Sequence, residues 1–175
     1  DYVPEGEHLY GSWSDPWEAA REKYDIHYDE GVFVGYRWYD GKYIEPLYPF
    51  GHGLSYTRFE YSDLSVSKTR FSVDDMLEVS FSIRNAGTVA GAEIAQLYVS
   101  DRQSSVARPP KELKGFKRVE LAAGESKTVT LSLDKTAFSF WSGEQRGWLA
   151  ESGDFELIIA ASSRDARLSA TVELL

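Results

Sequence analysis

Residues 77–84 read Leu-Glu-Val-Ser-Phe-Ser-Ile-Arg, and this alternation constrains the fold more than any other stretch. Leu77, Val79, Phe81 and Ile83 fall on one side of an extended chain. Glu78, Ser80, Ser82 and Arg84 fall on the other, so the segment reads as a half-buried strand. Asn85-Ala86-Gly87 follows as a turn, with Gly91 beyond it. The pattern recurs along the chain. Leu64 and Val66 begin a strand, and Ile94 to Val99 forms another, with Leu97 and Val99 on one face. Arg108-Pro109-Pro110 breaks and stiffens a loop. Leu113, Phe116 and Val119 lie in a short strand region around Gly115. Ala123-Gly124-Glu125 turns into a strand with Val129, Leu131 and Leu133 inward.

Thr136 to Trp141 reads as a crossing rich in apolar side chains: Ala137, Phe138, Phe140 and Trp141. The last hairpin pairs Phe155, Leu157 and Ile159 with Leu168, Ala170, Val172 and Leu174, and turns at Ser162–Asp165. About seven short strands, regular turn signals and no long helix predict a mainly β fold. The expected architecture is an antiparallel β-sandwich of immunoglobulin-like type.

The residues before Phe59 have a different texture. Tyr28, Phe33, Tyr36, Trp38, Tyr39, Tyr43, Tyr48, Phe50, Tyr56 and Phe59 crowd one stretch, punctuated by Gly31, Gly35, Gly41, Gly51 and Gly53. Rings bury large apolar areas, so such a run reads as a docking strap rather than a free linker. Glycine lets it turn tightly or lie close to another surface. Val32–Tyr39 reads as helix ended near Gly41, although Val32, Val34 and Tyr36 also fit a strand. Pro46 and Pro49 force extended backbone before themselves. Further upstream, Asp15-Pro16-Trp17-Glu18 has the form of a helix start, running to about Tyr24. The segment before the sandwich is therefore expected to be irregular and partly helical.

Charge separates the same two regions. The net charge is −9, and residues 1–30 alone carry −7 of it. That balance argues against nucleic acid, which needs a basic face, and against an anionic membrane surface. No run approaches the ~20 apolar residues of a membrane helix. The absence of Cys removes disulfides, thiolate zinc sites and a thiol nucleophile, but fixes no compartment. The chain opens at Asp1, without Met, and is read as a fragment or a processed product.

Candidate chemistry is thin. His8, His27 and His52 form no metal-binding motif, and Asp25, Asp29 and Glu30 read as a solvated acidic face rather than a cation site. Gly51-His52-Gly53-Leu54-Ser55 lacks the Lys and the strand-to-helix context of a phosphate loop. Ser55 stands in no nucleophile elbow. Asp29 and Glu30 are glycosidase-type carboxylates by residue type alone. Trp13, Trp17, Trp38, Trp141 and Trp148 have the rings to stack on sugars. Trp141 is better read as core or edge packing, and Trp38 as interface. We therefore assign no catalytic, cofactor-binding or metal residue and expect no cofactor.

Several motifs, in order, resemble glycoside hydrolase family 3, the β-glucosidase group. They are Tyr28-Asp29-Glu30-Gly31-Val32-Phe33-Val34-Gly35-Tyr36-Arg37-Trp38-Tyr39-Asp40 and Pro46-Leu47-Tyr48-Pro49-Phe50-Gly51-His52-Gly53-Leu54-Ser55-Tyr56-Thr57. Further along come Gln96-Leu97-Tyr98-Val99, Arg108-Pro109-Pro110-Lys111-Glu112-Leu113-Lys114-Gly115-Phe116 and Phe138-Ser139-Phe140-Trp141. The resemblance implies an (α/β)8 barrel, an α/β sandwich and a fibronectin type III-like β-sandwich in family members. It makes residues 1–58 the tail of the α/β sandwich plus the connecting segment, and 59–175 the fibronectin type III-like domain. The nucleophile Asp and the acid/base Glu of the family map to no residue here, and Glu30 is not in the acid/base motif.

The implied function is a non-catalytic accessory domain of a retaining β-glycosidase. Its partners would be the upstream catalytic domains, with carbohydrate reached through them. A free-standing carbohydrate-binding module and a structural, protein-binding sandwich stand as rivals, since a fold alone does not choose between them. For the strap, the resemblance implies that Tyr36, Trp38 and Phe50 need an upstream partner surface. Residues 1 to about 45 are then expected to be mobile, rearranged or packed on another copy.

Overall fold

The computed structural model describes residues 29–175. Val32–Leu175 forms one compact unit. Ten strands appear among the described residues: β1 Phe59–Val66, β2 Arg70–Phe71, β3 Leu77–Asn85, β4 Gly91–Asp101, β5 Glu112–Leu121, β6 Ser126–Leu133, β7 Ser139–Ser142, β8 Gly147–Ala150, β9 Gly153–Ser162 and β10 Asp165–Leu174. One sheet runs β1-β3-β6, and the other β2-β10-β9-β4-β5. β7 and β8 pair as a separate two-stranded ribbon. The three strands beyond the expected seven are the two-residue β2, parallel to β10, and the two short strands of the ribbon. Two-residue and four-residue strands are too short to show a period in sequence.

The two sheets share one core. Leu77, Val79, Phe81 and Ile83 of β3 are fully buried, facing Leu97 and Val99 of β4 and Phe155, Leu157 and Ile159 of β9. Phe138 closes the core between Phe71, at 4.7 Å, and Phe155, at 5.2 Å and edge-on. The segment expected as a crossing is a single helical turn, Lys135–Phe138, leading into β7. Asp134 caps that turn by accepting the Thr136 N–H at 2.9 Å. The last hairpin pairs the two expected strands, with Val172 opposite Phe155, Ala170 opposite Leu157 and Leu168 opposite Ile159.

Leu113, Phe116 and Val119 lie in β5 as expected, with Phe116 68% exposed on its outer side. Its partner across the ladder is Gln96, an outward position of β4. In β4 every residue from Ala95 to Ser100 is buried, on both faces. Its outward residues Gln96 and Tyr98 are covered by the strap. The helix start at Asp15 lies outside the described residues.

Candidate functional site

The strap, residues 32–58, lies on the outer face of the five-stranded sheet of its own sandwich. Gly35, at φ +58°, precedes the short helix α1, Tyr36–Gly41. The helix begins four residues later than the 32–39 pattern suggests, directly after the positive φ of Gly35. Tyr36 points onto the sheet. Its hydroxyl accepts the Leu113 N–H at 2.8 Å, its ring meets Tyr98 edge-on at 5.8 Å, and Phe50 stacks on it at 5.3 Å. Burial holds the Tyr98 phenol well above its ordinary range, and its hydroxyl donates to Gln96. The Ser163 N–H donates to the Phe50 carbonyl at 2.8 Å.

One buried acid fastens this layer. Asp40 accepts from Arg164 Nε at 2.6 Å and from Lys111 Nζ. Arg164 sits in the β9–β10 turn and also donates to the carbonyls of Ile44, at 3.0 Å, and Tyr39, at 3.3 Å. A second ionic group flanks it. Arg108, almost fully buried, pairs with Asp101 at 3.0 Å and Glu112 at 2.6 Å, and Glu112 also meets Arg37 of α1 at 3.4 Å. Burial alone would raise the Glu112 carboxyl. The Arg108 hydrogen bond and the nearby cations outweigh it, and the group lies below its usual range.

Gly51 makes the close crossing that its neighbours suggested. Its φ is +81°, and a Cβ there would stand 2.1 Å from Gln96 Nε2. Gly51→Ala is expected to cost about 2 kcal/mol, from the left-handed backbone and the overpacking together. A urea titration read at the strap and at the core checks this, with the larger change at the strap.

The strap therefore has two faces. Tyr36, Asp40 and Gly51 serve the inner one. On the other, Tyr43 is 93% and Leu54 94% exposed, Tyr56 is fully exposed, and Leu47 and Tyr48 stand out beside them. All five fall within residues 43–56 of the strap. Two crevices border the strap. One, of about 450 Å³, lies between His52, Ser55, Arg58, Glu93 and Arg167; the other, of about 350 Å³, lies between Tyr36, Leu47, Tyr48 and Arg164.

Tyr36, expected to need an upstream partner surface, finds one on the sandwich itself. Phe50 is half covered by Tyr36, and Trp38 is half-buried with the Lys42 ammonium 4.9 Å over its ring. Tyr43, Leu47, Tyr48, Leu54 and Tyr56 are the strap residues left most exposed.

Of the chemistry-bearing candidates, His52 stacks on Tyr48 at 5.5 Å, and Ser55 accepts the Thr57 N–H at 3.2 Å. Asp29 and Glu30 are exposed. Asp25, His8, His27, Trp13 and Trp17 lie outside the described residues. Trp141, read as core or edge packing, is an exposed ring of the β7–β8 ribbon. Asp40 and Arg164 escaped the sequence reading. Asp40 carried one signal, a lone acid closing an aromatic run; Arg164 carried none.

Comparison with known proteins places this architecture. Residues 93–163 match the fibronectin type III-like domain family. The thermostable beta-glucosidase B of Acetivibrio thermocellus is 55% identical over 149 residues, covering 85% of this chain and 20% of that protein. An exo-alpha-(1->6)-L-arabinopyranosidase of Bifidobacterium breve is 44% identical, covering 87% of this chain and 20% of that protein. The crystal structure of a Bifidobacterium adolescentis GH3 beta-glucosidase superposes with a TM-score of 0.79 at 43% identity. It covers 84% of this chain and 21% of that one. The chain thus spans about a fifth of the length of these relatives. What it matches in the glycoside hydrolase family 3 beta-glucosidases is their C-terminal, fibronectin type III-like region.

Proposed function

We propose that this chain is the C-terminal accessory part of a retaining β-glucosidase-type hydrolase, itself non-catalytic, and that it braces the catalytic domains of the same parent. Residues 1–58 are then the tail of the α/β sandwich with the connecting strap, and 59–175 the bracing domain. The two-faced strap carries this reading. Its inner face is bound to the sandwich through Asp40, Lys111 and Arg164, while Tyr43, Leu47, Tyr48, Leu54 and Tyr56 are left bare. Bare rings held on a rigid backing suit a permanent interdomain contact. The parent acts on O-glycosyl bonds of β-linked sugars, and the bond that is cleaved is held by the catalytic domains rather than by this one. Beta-glucosidase BoGH3A of Bacteroides ovatus, at 45% identity, and the arabinopyranosidase, at 44%, are about equally similar to this chain, which supports reading these residues as a brace rather than as determinants of the sugar hydrolysed.

Two measurements test the proposal. The isolated 175 residues are expected to leave an aryl β-glucoside unhydrolysed, and a pH-dependent rate lost in Glu30→Gln would overturn that. Leu54→Ser is expected to cost about 2 kcal/mol in the longer parent, where the side chain is covered, and under ~0.5 kcal/mol in the isolated chain. Equal small effects in both would remove the docking role.

A further inference from the structure

The β7–β8 ribbon carries a feature that bracing does not use. Trp141 and Trp148 are cross-strand partners, with ring centroids 5.9 Å apart and planes at 84°. They are 58% and 61% exposed. The adjacent positions Phe140 and Leu149 are half-buried, and the Arg108 guanidinium lies 6.0 Å over the Phe140 ring. Phe140 and Leu149 therefore seat the ribbon on the body, and the two indoles stand outward. The turn that joins the strands holds Glu144, Gln145 and Arg146, all exposed. Arg146 takes a left-handed φ of 50°, and the Gln145 N–H is bound to Ser142 Oγ at 3.2 Å. Among the described residues, the side chains of Glu144, Gln145 and Arg146 have no hydrogen-bonding or ionic partner.

The size of this patch decides what can occupy it. Two indoles three-fifths exposed offer about 300 Å² of ring surface. A stable protein contact needs about 800 Å² from each side. A net charge of −9 works against an anionic membrane surface. A sugar ring matches in area and in polarity. Its C–H face meets the negative face of an indole, and its rim hydroxyls need the carboxylate, amide and guanidinium that stand beside the rings. Two planes nearly at right angles suit successive rings of one chain rather than a flat crystalline surface.

We propose that the Trp141–Trp148 ribbon is a glycan-binding site. It takes the successive pyranose rings of a soluble β-linked glycan, with Glu144, Gln145 and Arg146 bonding the hydroxyls.

Native affinity electrophoresis of the 175-residue chain, in gels containing laminarin, hydroxyethyl cellulose or xylan, tests it. Dextran, α-linked, is the control. Retardation by at least one β-linked glycan and not by dextran is expected, with binding at least tenfold weaker in Trp141→Ala and in Trp148→Ala. The circular-dichroism couplet of the paired indoles should shift on adding that glycan, a response that a merely stabilising Trp pair would not give. Should the Trp variants lose the ribbon, the exposed double variant Glu144→Ala/Gln145→Ala decides. Loss of retardation there, with unchanged melting, supports the site, and full retardation overturns it. Absence of retardation by every β-linked glycan, equal retardation by dextran, or retention of binding in both folded Trp variants also overturns it.

Discussion

Arg108→Ala is expected to lower the unfolding free energy by about 3–5 kcal/mol, read from the midpoint of a urea or guanidinium titration. The side chain is 6% exposed and ties Asp101 to Glu112. It also donates to the carbonyls of Phe138 and Ser139, each at 3.4 Å, where the chain leaves the core for the ribbon. Truncation leaves two enclosed carboxylates without their main cation, and desolvation then outweighs any relief of side-chain entropy. Lys114 at 3.6 Å and Arg37 at 3.4 Å remain near Glu112 and hold the loss toward the lower end. Arg108→Lys recovers only part, because one ammonium cannot span both carboxylates as the guanidinium fork does.

The pH dependence gives the same variant a second reading. Glu112 lies below its ordinary range in the folded chain, burial being outweighed by Arg108 and its neighbouring cations. A depressed carboxyl contributes stability above its unfolded value, about 4.3, and loses it as pH falls through the folded value. In Arg108→Ala the burial acts with less opposition, so protonation relieves the variant. The stability gap between wild type and variant should therefore narrow on acidification from neutral pH to about 3. A gap independent of pH would mean that lost packing, not charge, is the cause.

The sandwich was legible because half-buried strands write their orientation into every second residue. The inward faces of Leu77 to Ile83 and of Phe155 to Ile159 are read off the chain, while the partners they pair with come from the fold. The outer face of β4 was not, since Gln96 and Tyr98 look like solvent positions until a second layer covers them. Density of rings announced the strap, but not which rings turn inward. Tyr36 and Tyr43 are the same residue type seven positions apart. Only the helical turn at Gly35 and the position of Tyr98 separate the anchored ring from the bare one. Arg108 read as part of a stiff Pro-Pro loop. Its role depends on Asp101 and Glu112 converging from the ends of two paired strands, β4 and β5. Arg164 read as a turn residue for a similar reason: its partner Asp40 lies 124 positions away in sequence.

That remote pair makes the sharpest test of the strap. Asp40→Ala is expected to release the strap without unfolding the sandwich. Asp40 is enclosed between Lys111, Arg164 and the backbone of its own helix, and no other acid of the strap is buried. The pair is worth on the order of 3 kcal/mol, at the low end for buried ion pairs because Arg164 still reaches water. The strap holds no strand pairing, so that loss falls on local opening and not on the cooperative core. Amide exchange at residues 36–52 should then accelerate about 100-fold, the factor that corresponds to 3 kcal/mol. Amides of β3 and β9 should keep their protection. Tyr98 would report the same event, its phenol returning toward the ordinary range as the burial that raises it is lost. Asp40→Asn, which can accept from Arg164 but carries no charge, should fall between the two. Faster exchange throughout β3, β4 and β9 would mean instead that strap and sandwich unfold as one unit. The bare face would then be built on the core itself.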